Sequence, residues 1–204
     1  MDTSWNKNEA FLRGRAAAAP RPSHSNHGVE YLTFPLEVER LSGAADTLNI
    51  VLPGAMAERC PIYPGRHYQV EGEVRSYNNR SGVGRRLVIT LLARSVSPAP
   101  GRPCDNRLEL AGTICKPPTF RRTPLGREIC DLLLAVNRRY GRADYLPCIA
   151  WGSLARSCGT LEVGDALGLV GRLQSRVYHK VVAPDREEAR TAYEVSIMGL
   201  NPVP

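Results

Sequence analysis

The chain repeats itself, and the repeat limits what it can fold into. Asn8 and Gly14 recur as Asn106 and Gly112, 98 positions further on. The same spacing pairs Gly28 with Gly126, Glu30 with Glu128, Arg40 with Arg138 and Asp46 with Asp144. It also pairs Gly54 with Gly152, Ala57 with Ala155 and Cys60 with Cys158. After one inserted residue the spacing is 99, which pairs Gly65 with Gly164, Gly72 with Gly171 and Ser76 with Ser175. A nearly fixed period across most of each half means two copies of one unit rather than one large domain. The copies meet at "SPAPGRPCD", a Pro/Gly-rich linker. The expected domains are 1–98 and 104–204.

Within each copy the apolar residues alternate. In "EYLTFPLEV" Leu32, Phe34, Leu36 and Val38 share one face, and in "EICDLLLAV" Cys130, Leu132, Leu134 and Val136 do the same. "DALGLVGRLQSRVY" turns Leu167, Leu169 and Leu173 inward, and "RRLVITLLARSV" and "TAYEVSIMGL" read as closing strands. "GSLARSC" after Trp151 reads as a short helix. The order is three strands, a short helix and two strands. That pattern predicts an all-β chain of two tandem OB-folds, each a five-stranded Greek-key barrel with its helix before the fourth strand.

The formal net charge is +7, from 27 basic and 20 acidic residues, which favours an anionic partner. The only lysines are Lys7, Lys116 and Lys180; the other basic residues are arginines, whose planar donors suit phosphate and base stacking. The six cysteines form no C-x-x-C pair, and His24, His27, His67 and His179 fall at no zinc-ligand spacing. The cysteines read as buried free thiols, and neither a metal nor a cofactor is expected. The N-terminus lacks the apolar core of a signal peptide and no stretch is long enough to span a membrane, so the expected location is cytoplasmic.

In the second half, "NRLELAGTI", "LGREICDLLLAVNRRY", "DYLPCIAWGSLA", "LEVGDALGLVGRLQSRVYHK" and "YEVSIMGL" stand in order over nearly the whole copy. With these segments the chain resembles the bacterial single-stranded DNA-binding protein family. The resemblance implies an OB-fold that wraps single-stranded DNA with aromatic and basic side chains. The family's base-stacking positions fall on Tyr140, Tyr145, Trp151 and Tyr178. Members commonly assemble four OB-folds, so two tandem domains imply a homodimer. The family's acidic tail, with its tip for recruiting replication and repair proteins, has no counterpart in the closing "MGLNPVP".

Strand parity bears on the same surface without the resemblance. Arg172, Arg176 and Tyr178 share the outward face of one strand, and Tyr145 and Trp151 share a face of another. Arg121, Arg122, Arg138, Arg139 and Lys180 are candidate phosphate contacts, with Arg127 and Arg142 nearby; each taken singly reads as a solvated charge. The expected function is sequence-independent binding of single-stranded DNA in replication, recombination or repair, through stacking and phosphate contacts. The first copy has Ser42, Thr47, Pro53 and Asn79 at the four aromatic positions and Glu73 at that of Arg172. It therefore reads as a barrel with a degraded DNA face, touching DNA at most through Arg80, Arg85 and Arg86. An alternative is a primosome-like protein-interaction adaptor. No nucleophile–base pattern points to an enzyme.

Overall fold

The computed structural model describes residues 7–79, 87–138, 141–183 and 186–202, with side chains at 179–188 and 190 outside the description. The first half contains β1 (Lys7–Ala16), β2 (Arg21–Asn26), β3 (Val29–Glu39), β4 (Ala45–Pro53), α1 (Gly54–Arg59), β5 (His67–Asn78) and β6 (Leu87–Pro98). The second contains β7 (Asp105–Ile114), β8 (Thr119–Arg122), β9 (Glu128–Asn137), β10 (Ala143–Trp151), α2 (Ser153–Cys158), β11 (Ala166–Ala183) and β12 (Arg186–Asn201). Both helices follow a chain breaker, Pro53 or Gly152, and neither exceeds six residues.

Each half closes into a five-stranded barrel. In the first, the strands run β1-β5-β6-β4-β3 and return to β1; in the second, β7-β11-β12-β10-β9 return to β7. One pair in each barrel is parallel, at Ile50↔Leu91 and at Cys148↔Val195. These are two OB-folds, as the alternation predicts. Leu12, Phe34, Leu36, Leu48, Ile50 and Leu91 fill the first barrel; Leu110, Leu134, Leu146, Leu169 and Val195 fill the second. Burying each such side chain stabilises by roughly 1.5–3 kcal/mol before chain entropy is counted. Cys130, Cys148 and Cys158 are buried as expected, whereas Cys60, Cys104 and Cys115 are only half-buried. Burial pushes the Cys148 and Cys158 thiols up, so both stay protonated at neutral pH.

The structure adds one strand per half to the five expected. β2 and β8 lie along the outer edges of β3 and β9. Every residue of "RPSHSN" and "TFRR" is exposed. With no buried face there is no alternation for a periodicity reading to find.

Of the repeated glycines, Gly14 and Gly112, and likewise Gly72 and Gly171, mark close approaches of the backbone. Along the edge that it shares with β7 up to Arg13, β1 passes to β3 at Arg15 and Ala16, and β7 passes from β1 to β9 at Thr113 and Ile114. At these crossings a Cβ on Gly14 would lie 2.2 Å from the Glu37 carbonyl oxygen, and one on Gly112 would lie 2.4 Å from that of Ala135. Gly112→Val is therefore expected to cost about 1–3 kcal/mol or more through backbone displacement. Urea unfolding checks this, and an unchanged midpoint would contradict the crossing.

The barrels are joined edge to edge by antiparallel pairing of β1 with β7, from Lys7↔Ala111 to Arg13↔Asp105. A second, reciprocal tie accounts for three of the repeated pairs. Asp46, buried, accepts from Arg40 Nε at 2.7 Å and reaches into the other half, accepting from Ser175 N at 2.6 Å and Ser175 Oγ at 3.0 Å. Its counterpart Asp144, also buried, accepts from Arg138 Nε at 2.6 Å, Arg75 Nη1 at 3.1 Å and the backbone N of Ser76. Each arginine also donates to the carbonyl of the opposite serine: Arg40 to Ser175 at 3.0 Å and Arg138 to Ser76 at 2.8 Å.

Candidate nucleic-acid interface

β10 carries two of the expected aromatics on one face. Its inward residues Asp144, Leu146, Cys148 and Ala150 are buried, leaving Tyr145 49% and Trp151 40% exposed. The Tyr145 backbone N donates to Ser76 Oγ of the first half at 2.7 Å. Trp151 lies in a cross-strand row with Ile129 on β9 and Arg121 on β8. Ile129 is buried in that row, so Trp151 stands on an apolar base with an arginine at the far end. Such a row offers a ring face to a base and a cation to its phosphate.

β11 carries the third aromatic. Arg172, Gln174, Arg176 and Tyr178 alternate on one side of it, with Tyr178 37% exposed. Arg176 is exposed and meets Glu194 only at 3.9 Å. Nε of Arg172 is buried without a hydrogen-bond partner, an unsatisfied donor beside this face. Parity alone predicts a wholly solvated face, but Gln174 is buried and donates to the buried Glu194 at 2.9 Å. A carboxylate therefore sits among the arginines.

The other basic candidates fare differently. Arg121 is exposed and donates to Asp131 at 2.8 Å, and Arg122 to Glu128 at 2.9 Å. Hydrogen bonding to Arg122 and the nearby Arg156 guanidinium hold the Glu128 carboxyl below its ordinary range. A phosphate at β8 must compete with these carboxylates. Arg138 is committed to Asp144 and the Ser76 carbonyl, which makes it part of the tie between halves rather than a free cation. Tyr140 and Arg139 lie outside the described residues, as do Arg80, Arg85 and Arg86; the side chain of Lys180 on β11 does too.

The first half retains aromatics, but not at the paired positions. Tyr77 on β5 is exposed at the counterpart of Arg176. His24 and Tyr31 stack with ring centroids 4.8 Å apart and planes 4° from parallel. They occupy the row His24–Tyr31–Pro53, the counterpart of Arg121–Ile129–Trp151. Comparing the halves position by position misses an aromatic that has moved one strand sideways within a row; pairing registers would have revealed it. Glu73 is neutralised by Arg75, with Arg94 3.8 Å away. Among the described residues no helix is long and apolar enough to cross a membrane.

Two closed OB-folds, the second with exposed aromatics and arginines on the outward faces of β10 and β11, define the class: a tandem OB-fold protein. Residues 105–201 match the model of the single-strand binding protein family. A single-stranded DNA-binding protein of Halalkalibacterium halodurans is 31% identical over 100 residues, covering 46% of this chain and 56% of the relative. Single-stranded DNA-binding protein A of Bacillus subtilis is 36% identical over 80 residues, covering 36% of this chain and 46% of the relative. The chain thus spans about half the length of the curated relatives it matches. The tandem arrangement has its own likeness. The wild-type single-stranded DNA binding protein from Thermus aquaticus superposes with a TM-score of 0.78 at 25% identity, over 98% of this chain and 93% of that one. A deletion mutant of the same protein gives 0.79, over 99% and 96%.

Proposed function

We propose that the chain binds single-stranded DNA without sequence preference, mainly through its second domain, in replication, recombination or repair. The observation that carries this reading is the exposure of Tyr145 and Trp151 on one face of β10, inside a domain that matches the single-strand binding protein family. A large ring held on a buried row but open to solvent costs apolar exposure, and an unstacked base would cover it. Arg172, Arg176 and Arg121 supply the cations, and the formal charge of +7 favours approach to a polyanion.

An oligo-dT strand is expected to bind more tightly than a duplex of equal length, because paired bases hide their faces. Affinity should fall on a log–log plot against salt with a slope near −0.7 per phosphate neutralised. Fluorescence titration of Trp151 reads both, and equal or tighter duplex binding would sink the reading. We also place two copies of the chain together in solution, giving four OB-folds; sedimentation equilibrium at the mass of one chain would refute that part alone.

A further inference from the structure

We propose that Ser76, in the first domain, is a positioning residue for Tyr145 in the second. This rests on the stacking role assigned to Tyr145 above. All three polar groups of Ser76 serve the other half. Its N donates to Asp144, its carbonyl accepts from Arg138 at 2.8 Å, and its Oγ accepts from the Tyr145 backbone N at 2.7 Å. Ser76 is 6% exposed, so water does not replace these partners readily. The Tyr145 ring has no such enclosure, being half exposed. What directs it is therefore its backbone, held on one side by the β9 ladder at Ala135 and on the other by a hydroxyl from the first domain.

The mirrored tie lacks this element. Ser175 Oγ donates to Asp46 at 3.0 Å instead, and Thr47, the counterpart of Tyr145, has its carbonyl bonded by Tyr193 Oη at 2.8 Å. The two ties are alike in their Arg–Asp pairs but differ in what the serine hydroxyl does. The hydroxyl grips the strand that carries an aromatic on the side where one is present. Ser76 thus takes part in DNA binding without itself touching DNA.

The test is a double-mutant cycle read by oligo-dT affinity in the full chain. Ser76→Ala should weaken binding about three- to tenfold, the range for one neutral hydrogen bond, and Ser76→Thr, which keeps the hydroxyl, should restore it. In a Tyr145→Ala background Ser76→Ala should have no further effect, whereas in a Tyr178→Ala background it should keep its full effect. Parent-like binding by Ser76→Ala, or an unchanged loss in the Tyr145→Ala background, overturns the proposal. A Tyr145→Ala chain that binds like the parent instead overturns the stacking role of Tyr145. Amide hydrogen exchange at Tyr145 in the free protein gives a second reading: Ser76→Ala should speed it by at least about threefold with the global melting point held. An unchanged rate also overturns the proposal.

Discussion

Replacing Tyr145 and Trp151 together by alanine is expected to weaken oligo-dT binding by about 2–6 kcal/mol, at least roughly thirtyfold, since each stacked base contributes about 1–3 kcal/mol. The rings are six residues apart on one strand, about 20 Å, too far to share a base, so their losses should add within a few tenths of a kcal/mol. Both are substantially exposed, so the double variant should unfold at nearly the parent's urea concentration. Retained fold with lost affinity is the signature of a contact surface. Matched affinities for parent and double variant would move the site off β10 altogether.

Asp144→Ala is expected to lower stability by about 3 kcal/mol, the lower part of the range for a buried charge deprived of its partner. The carboxylate is buried, whereas Arg138 and Arg75 are each about a quarter exposed, so water recovers part of the loss. The Ser76 backbone N would also lose its acceptor. Asp144→Asn keeps an acceptor oxygen and should lose less. A loss below about 0.5 kcal/mol in urea unfolding would mean the tie does not hold the halves together.

The counterpart Asp46 adds a pH dependence. Burial alone would raise its pKa, yet donation from Arg40 and Ser175 to the charged form leaves it below its ordinary value. A folded-state pKa that is depressed means the stabilisation is complete above the unfolded-state value, about 3.9, and is lost as pH falls through the folded one. Asp46→Asn should therefore be less stable than the parent at pH 7, and the gap should narrow below about pH 4. A gap that stays constant across acid titration would remove Asp46 as its source.

What the sequence conveys depends on how far apart the interacting residues lie. The inward faces at Phe34, Leu36, Leu134 and Val136 are read correctly because strand alternation is local. The repeat likewise singles out Arg40, Asp46 and Ser76 with their partners. It does not say that each aspartate reaches across to the other copy's serine, since periodicity compares equivalent residues rather than crossed ones. For that reason Arg138 looks like a phosphate ligand until Asp144 and the Ser76 carbonyl are seen around it. The same limit applies to Arg121 and Arg122, whose carboxylate partners lie on the neighbouring strand. Parity alone puts Trp151 and Tyr145 on one face of their strand, and the burial of Asp144, Leu146, Cys148 and Ala150 opposite them makes that face the outward one.

The β1–β7 seam has an evolutionary consequence. When two separate identical chains pair about a twofold axis, any substitution is made on both sides at once. A mutation that suits one surface is then tied to its copy on the other. Here a few residues between Pro98 and Asp105 put both partners on one polypeptide, so their pairing no longer depends on protein concentration. Each copy can then change alone. One carries tyrosine and tryptophan on β10, while the other carries threonine and proline at those places on β4, and both close the barrel. A single polypeptide leaves the two faces free of symmetry, and at these positions they differ.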